Sequence, residues 1–348
     1  MMQFLFSVNI VWGIACVLLY LVCGVNPENF WIFSISSLLV PISFGINLMF
    51  IFLWLVFKWQ YALLSFLILL LGYSHLQKFY AWNDPNPSPK CKNNNFNLMT
   101  FNVYGLKNLK DTIDQSQQKN KNQFLSFLRK TDPEILCVQE NNLYADNIIN
   151  STGLFSYVHY MINHGTAIYS KFPILDQGLI DFGTNTNSCL WVDMLINGRR
   201  TRIYSVHLQS NRISKDVNKL TDDEEEKNTE KLNVIKRMLV QYRRMSLRRA
   251  KQAEMVKKHA DASEYPVIIA GDFNDTPFSY AYRELSKKCK DSFLENGNGI
   301  GSTFVGALPG LRIDFILGDE KKFAFCNHKV LQTSFSDHNP VMSSMYYK

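Results

Sequence analysis

From Phe4 to about Phe79 the chain is almost continuously apolar, with Glu28 as its one acid and Lys58 and Lys78 as its only Lys or Arg. A bilayer-spanning helix needs about 20 mostly apolar residues. Three stretches qualify: about Phe4–Val25, about Ser34–Phe57 and about Tyr61–Gln77. Asn26-Pro27-Glu28-Asn29 separates the first from the second, and Lys58-Trp59-Gln60 the second from the third. Trp31, Trp54, Trp59, Tyr80 and Trp82 sit near the ends of these stretches, where aromatic rings favour a membrane interface. A secretory signal peptide ahead of a buried core fits less well. No Lys or Arg precedes the first stretch, and two more apolar stretches follow it.

The pattern changes at Asn83–Asn95 (NDPNPSPKCKNNN), where three prolines alternate with polar residues, as in an extended linker. Beyond it, short apolar runs alternate with polar helical stretches. Strands are expected at Phe96–Val103, Ile135–Gln139, Thr166–Ser170, Leu190–Ile196, Arg202–His207, Val267–Gly271, Ile313–Leu317 and Val341–Tyr346. Helices are expected at about Gln117–Arg129 and within Asn228–Ala262. The expected organisation is therefore a transmembrane region of about three helices over residues 1–82, a linker over 83–95, and a domain over 96–348 with a basic helical insertion at about 211–262. Mixed sheets flanked by helices are the expected architecture.

Charge and cysteine usage add little. The formal charge of +7 suits an anionic substrate or a membrane surface and proves neither. The seven cysteines are scattered, odd in number and without a CxxC, which argues against a disulfide framework or a zinc site and slightly favours a reducing compartment. Three spans place the termini on opposite faces. Lys58 argues for the domain lying outside, while Lys78, Lys90 and Lys92 argue for inside, so the side is undecided.

The chemistry lies at the ends of the expected strands. TFNVYGL (Thr100–Leu106), ILCVQENN (Ile135–Asn142), HGTAIYSKFPI (His164–Ile174), YSVHLQS (Tyr204–Ser210), IIAGDFND (Ile268–Asp275), RIDFIL (Arg312–Leu317) and SDHNP (Ser336–Pro340) each carry an Asn, Glu, Asp or His at or near the end of an apolar run. Carboxylates and amides bind hard divalent cations, and paired histidines supply acid and base. Together they point to metal-assisted hydrolysis of a phosphate ester. Glu140 is the leading metal ligand, and Mg²⁺ is the ion such sparse oxygen ligation suits, with Mn²⁺ as its substitute.

These segments, in this order, resemble the endonuclease/exonuclease/phosphatase superfamily over nearly all of Phe96–Lys348. The resemblance implies an α/β fold, a four-layer sandwich of two mixed β-sheets flanked by helices, here preceded by an all-helical transmembrane region. It implies that Asn102 and Asp337 lie beside the metal with Glu140, and that Asp272 and Asn274 hold the attacking water and a phosphate oxygen. It further implies that His207 protonates the leaving oxygen and that Asp314 orients His338. Asn102, Asn274 and His164 are then the candidate substrate contacts. His75, His159, His259 and His328 match no catalytic position. The His207-Leu208 pair looks more like the deoxyribonuclease, sphingomyelinase and general phosphodiesterase branches than the apurinic-endonuclease branch.

Within the insertion, an acidic run at Asp222–Glu226 precedes a basic helical stretch that includes Arg243, Arg244, Arg248 and Arg249. Two readings remain open for it: a solvated surface helix, or a contact with anionic lipid or nucleic-acid phosphates. The leading functional expectation is an integral membrane protein of a plasma or inner membrane, a Mg²⁺-dependent phosphodiesterase acting on nucleic acid or phospholipid head groups. A lipid or inositol phosphomonoesterase and an inactive membrane-binding module are the alternatives. The lipid bilayer is an expected partner, and no protein partner follows from the sequence.

Overall fold

The computed structural model describes residues 1–83, 91, 95–110, 115–211, 228–306 and 310–348. Most of the expected linker, with Lys90 and Lys92, and the acidic run Asp222–Glu226 lie outside the described residues. In chain order the strands are β1 Ala81–Trp82, β2 Phe96–Asn102, β3 Ile135–Gln139, β4 Tyr157–Tyr160, β5 Thr166–Ser170, β6 Ile174–Asp181, β7 Ser188–Ile196, β8 Arg199–His207, β9 Val267–Asp272, β10 Cys289–Asp291, β11 Asn298–Gly299, β12 Asp314–Asp319, β13 Phe323–Phe325, β14 Lys329–Val330 and β15 Val341–Tyr347.

Two mixed sheets form, one in the order β13-β15-β2-β3-β5-β4 with β14 beside β15, the other in the order β10-β12-β9-β8-β7-β6. Each contains one parallel pair, β2 with β3 and β8 with β9. The central strands bury both faces, which explains their near-continuous apolar sequence. Alternate residues divide between layers. Leu98, Ile135, Cys137 and Ile168 of one sheet meet Leu190, Val192, Ile203, Ile268, Ala270 and Ile316 of the other. On the outer face of the first sheet, Met99, Phe101, Leu136 and Val138 pack on Phe124 and Leu128 of the helix Gln115–Thr131 and on Ile148 and Ile149 of the helix Leu143–Asn150. Outside the second sheet, Tyr204, Val206, Ile269 and Phe315 pack on Ala253 and Val256 of the long helix Asn228–Asp261 and on Tyr282 of the helix Tyr280–Ser286. Helix, sheet, sheet and helix make the four layers.

The N-terminal region is helical: Met2–Val22, Pro27–Phe30, Ser36–Phe57, Trp59–Leu71 and Tyr73–Phe79. Met2–Val22 and the run Pro27–Phe57 are long and apolar enough to cross a membrane. The third expected span is bent by 67° between Trp59–Leu71 and Tyr73–Phe79. This bundle buries polar groups among its apolar interior and leaves many large apolar side chains exposed outside. Asn9 donates to Ser65 at 2.9 Å and accepts from the Trp54 indole at 2.9 Å, while Leu21 and Val56 are 74% and 79% exposed.

The bundle docks on the second sheet's helices. Phe278 inserts among Tyr20, Val40 and Phe44, a burial worth about 2 kcal/mol. The Asn26 amide donates to Glu254 at 3.2 Å, the Thr276 hydroxyl to the Ser37 carbonyl at 3.2 Å, and the Tyr242 hydroxyl to the Ser34 carbonyl at 3.1 Å. Ala81–Trp82 pairs with Asn298–Gly299.

Two expectations are corrected. Cys91 and Cys326 form a disulfide, with Cα atoms 5.6 Å apart across 235 residues of sequence. Spacing along the chain carries no sign of a pair brought together by the fold alone. The long basic helix is no freely solvated surface helix either, because Val234, Tyr242, Met245, Ala250, Ala253 and Val256 are buried.

Candidate active site

The site is the polar continuation of the intersheet core. Side chains alternate along a strand, so positions two apart share a face. Reading Leu98–Thr100–Asn102, Ile203–Ser205–His207 and Ile268–Ala270–Asp272, the inward face passes from apolar through small polar to functional residues at the strand end. β12 runs antiparallel to β9, so Asp314 at its start lies opposite Asp272 at the end of β9. His207 lies opposite Asp272 on the other side, across the parallel pair. A buried polar layer separates site from core: Thr100 donates to the Gln139 side chain at 3.2 Å, and Gln139 donates to Ser205 at 3.1 Å. Gly271 permits the close pairing. A Cβ there would lie 2.0 Å from the Val206 carbonyl oxygen, and its φ of 145° is one that L side chains rarely adopt.

Asp272 is the hub. Its carboxylate accepts from the Asn102 amide at 2.9 Å, the Asn274 amide at 3.1 Å and the Asn274 backbone N–H at 2.7 Å. Asn274 also donates to the Leu208 carbonyl at 2.9 Å. His338 Nδ1 donates to Asp314 at 2.9 Å, leaving Nε2 facing Asp272 at 3.8 Å. His207 Nδ1 donates to the Thr186 carbonyl at 2.9 Å, so its Nε2 is free to act. That buried Nε2 has no hydrogen-bond partner and lies 3.9 Å from Glu140 and 3.8 Å from Asp272. Glu140 follows β3 at a left-handed φ of 50°, which turns its side chain to the mouth, where it accepts from Asn102 at 3.3 Å and remains 34% exposed.

Burial raises the Asp272 carboxyl above its ordinary range. His338 opposes this, while the charge of Asp314 reinforces it. Burial disfavours a charged His338 ring, but Asp314 and Asp272 outweigh it and hold the imidazolium well above its usual range. Asp337 is raised, chiefly by burial and also by the nearby Glu140 charge.

The ligating atoms of Asp272, Asp314 and His338 lie within 4.8 Å of one another. In that cluster, however, the His338 Nδ1 is already engaged by Asp314 at 2.9 Å, and the Asp272 carboxylate already accepts three hydrogen bonds. The better fit is at the mouth. Glu140 and Asp337 crowd negative charge beside the Asn102 amide, and this oxygen-rich donor set suits a hard divalent cation.

A cleft of about 490 Å³ opens over these residues, lined by Glu140, Asn142, Tyr160, Ile162, Thr186 and His207 among others. Asn163 and Gly165 line it and His164 does not; the His164 carbonyl instead accepts from Ser188 at 2.7 Å. Arg249 is corrected as a membrane or polyanion contact. It is fully buried, pairs with Asp275 at 2.9 Å and donates to Asn211 at 2.6 Å. Arg243 stacks on Trp31 at 5.1 Å, whereas Arg244 and Arg248 border a second cavity. Three supporting groups had escaped sequence reasoning. The Thr186 carbonyl sets the His207 tautomer. The Thr303 hydroxyl accepts the backbone N–H of Asp314 at 3.2 Å, and the Ser336 hydroxyl donates to the Asn102 carbonyl at 2.7 Å. Ser336 sits in a motif already singled out, but Thr186 and Thr303 carry no such signal.

The family model described as "Endonuclease/Exonuclease/phosphatase family" matches residues 99–338, and the chain belongs to that family. It is a metal-dependent phosphoesterase hydrolase. A second model, described as a domain of unknown function (DUF8431), matches residues 2–79. A search of curated proteins gave no match. Among solved structures, the endonuclease/exonuclease/phosphatase from Bacteroides vulgatus is 16% identical with a TM-score of 0.54, covering 73% of this chain and 99% of that one. SmcL is 15% identical with a TM-score of 0.52, covering 73% and 99%. D. rerio TDP2 complexed with single strand DNA product is 18% identical with a TM-score of 0.52, covering 72% and 98%. At these identities the likeness is one of fold.

Proposed function

We propose that this chain is a membrane-embedded, Mg²⁺-dependent phosphodiesterase that hydrolyses nucleic-acid or phospholipid diesters by direct attack of water. The observation that carries the reading is the buried, unpartnered His207 Nε2 facing Glu140 and Asp272, with the His338–Asp314 pair on the other side of Asp272. Asp272, whose burial raises its pKa to about 6 against the opposing His338 charge and Asn102 amide, accepts the proton of the attacking water. His338 stays protonated and stabilises negative charge growing on the phosphate. His207, protonated at Nε2, donates to the leaving oxygen, with the Thr186 carbonyl fixing its ring. Glu140, Asp337 and Asn102 would hold the Mg²⁺, which supplies Lewis-acid polarisation of a phosphoryl oxygen when bound.

The outward-facing apolar side chains of the N-terminal bundle support the membrane reading. Apolar side chains face outward and Asn9, Ser65 and Trp54 bond to one another inside, as helices in lipid require. The test is turnover of a small phosphodiester by the full chain. Activity is expected to vanish in chelator and return with Mg²⁺ or Mn²⁺. Glu140→Gln should lose most of it and recover part at high Mg²⁺. Full activity in chelator sinks the metal assignment.

A further inference from the structure

A second cavity, of about 1020 Å³, adjoins the active-site cleft. The loop 185–187 is the wall common to both, and its Thr186 carbonyl holds the catalytic His207. The opposite wall is one face of the long helix and presents Lys236, Arg237, Arg244 and Arg248. Among the described residues none of these four forms an ion pair with a carboxylate; Arg248 reaches only the Gln209 amide oxygen, at 3.4 Å. Between the cations the wall is apolar, with Met245 and a Val240 that is 67% exposed. The same helix rests on the segment that joins the two longest apolar helices. Arg243 stacks on Trp31, and Ser34 donates to Ser246 at 3.2 Å. The cavity therefore opens at the level where that segment would meet the lipid surface.

The geometry points to this cavity as the headgroup subsite for an anionic phospholipid, one that carries an acidic group beyond its diester. The inference rests on the phosphodiesterase reading only for turnover, not for binding. Four clustered cations exceed what one diester charge needs, and charge-assisted contacts from Arg and Lys match a further phosphate. The apolar residues between them suit the glycerol backbone and upper chain of an amphiphile. A nucleic acid offers the same phosphate but nothing for Val240 and Met245.

The experiment uses the full chain in detergent, with chelator present so that turnover plays no part. Intrinsic tryptophan fluorescence is titrated with dioctanoyl phosphatidylinositol phosphate, dioctanoyl phosphatidylcholine or a single-stranded oligonucleotide. The phosphorylated lipid is expected to bind best. The Lys236→Gln/Arg244→Gln pair should weaken it by about tenfold or more, the loss of one or two charge-assisted contacts. Lys251→Gln on the same helix, outside the cavity, should leave binding alone, and Arg244→Lys should retain most of it. Raising the salt should weaken binding. Equal binding by the double variant, loss in Arg244→Lys as severe as in Arg244→Gln, or preference for the oligonucleotide overturns the subsite. Binding that behaves as expected, without hydrolysis when Mg²⁺ is restored, upholds the subsite and counts against the phosphodiesterase reading.

Discussion

At the scale of single residues, the proposed mechanism makes His338 and Asp314 act as one unit. Asp314 accepts the Nδ1 proton at 2.9 Å and is fixed by the Thr303 hydroxyl through its backbone N–H. Asp314→Asn removes the charge that holds the ring protonated. Turnover should then fall by roughly 10²–10⁴-fold, the usual worth of such a group. The double variant with His338→Ala should be hardly worse than His338→Ala alone, because both changes disable the same ring. Additive losses in that cycle would refute the coupling. A second histidine shows the opposite electrostatics. His328 is buried, its Nδ1 bonds the Ser292 hydroxyl at 2.9 Å, and burial lowers its pKa from 6.5 to about 4. The unfolded chain thus binds a proton that the folded chain refuses. The stability His328 contributes is present above about pH 6.5 and is lost as pH falls toward about 4, by roughly 3 kcal/mol in all. Thermal midpoints followed over that range should drop more steeply for the native chain than for His328→Asn, and parallel curves would refute the assignment.

At the scale of elements, the long helix acts on the site through Arg249. Its guanidinium binds Asp275, which ends the Asp272–Asp275 turn, and the Gln209 carbonyl, two residues past His207. Arg249→Leu strands a buried carboxylate and should cost roughly 3 kcal/mol or more, while adding Asp275→Asn should restore part of it. Calorimetry of the two variants checks this, and no recovery in the double variant would mean that the guanidinium matters for packing alone. The same helix shows how far the sequence was legible. Its existence and position follow from periodicity, as do β3 and β5, which occur at the expected residues. Most of the proposed site residues were also legible as a group, because Asn102, Glu140, His207, Asp272 and Asp314 stand where an apolar run meets polar sequence and the fold brings those strand ends together, whereas His164 does not line the cleft. β6 was not. It is an edge strand with a single buried residue, and its Gly178 lies under the Trp191 ring, so no alternation marks it. Arg249 was misread with its basic neighbours, because one helical turn separates a solvent face from a buried one and charge alone does not say which is which. The pairing of Cys91 with Cys326 depends on where distant strands come to lie, information that no local window holds.

At the scale of the whole molecule, a membrane-embedded bundle would fix which side the active site faces. The segment from Cys23 to Ser37 and the residues after Phe79 both touch the catalytic sandwich. Met1 and Lys58 lie at the other ends of the helices that lead to them, so in a membrane the bent pair Trp59–Phe79 would return the chain to the sandwich side as a third span. Lys58 is exposed, and a basic residue between spans favours the cytosolic side. Lys78, which argues the reverse by count, is engaged by the protein: it sits 5.7 Å from the Tyr282 ring, and its carbonyl accepts from Arg312 at 3.3 Å. The Cys91–Cys326 disulfide adds an independent argument, since such bonds persist in oxidising compartments. On the membrane-embedded reading, both lines favour a catalytic sandwich on the non-cytosolic face. A C-terminal alkaline phosphatase fusion, which matures only after export, should be active, and a C-terminal green fluorescent protein fusion dark. Cys91 and Cys326 should resist alkylation until a reductant is added. A fluorescent fusion together with both thiols free in unreduced protein would reverse the topology and place the substrate in the cytosolic leaflet.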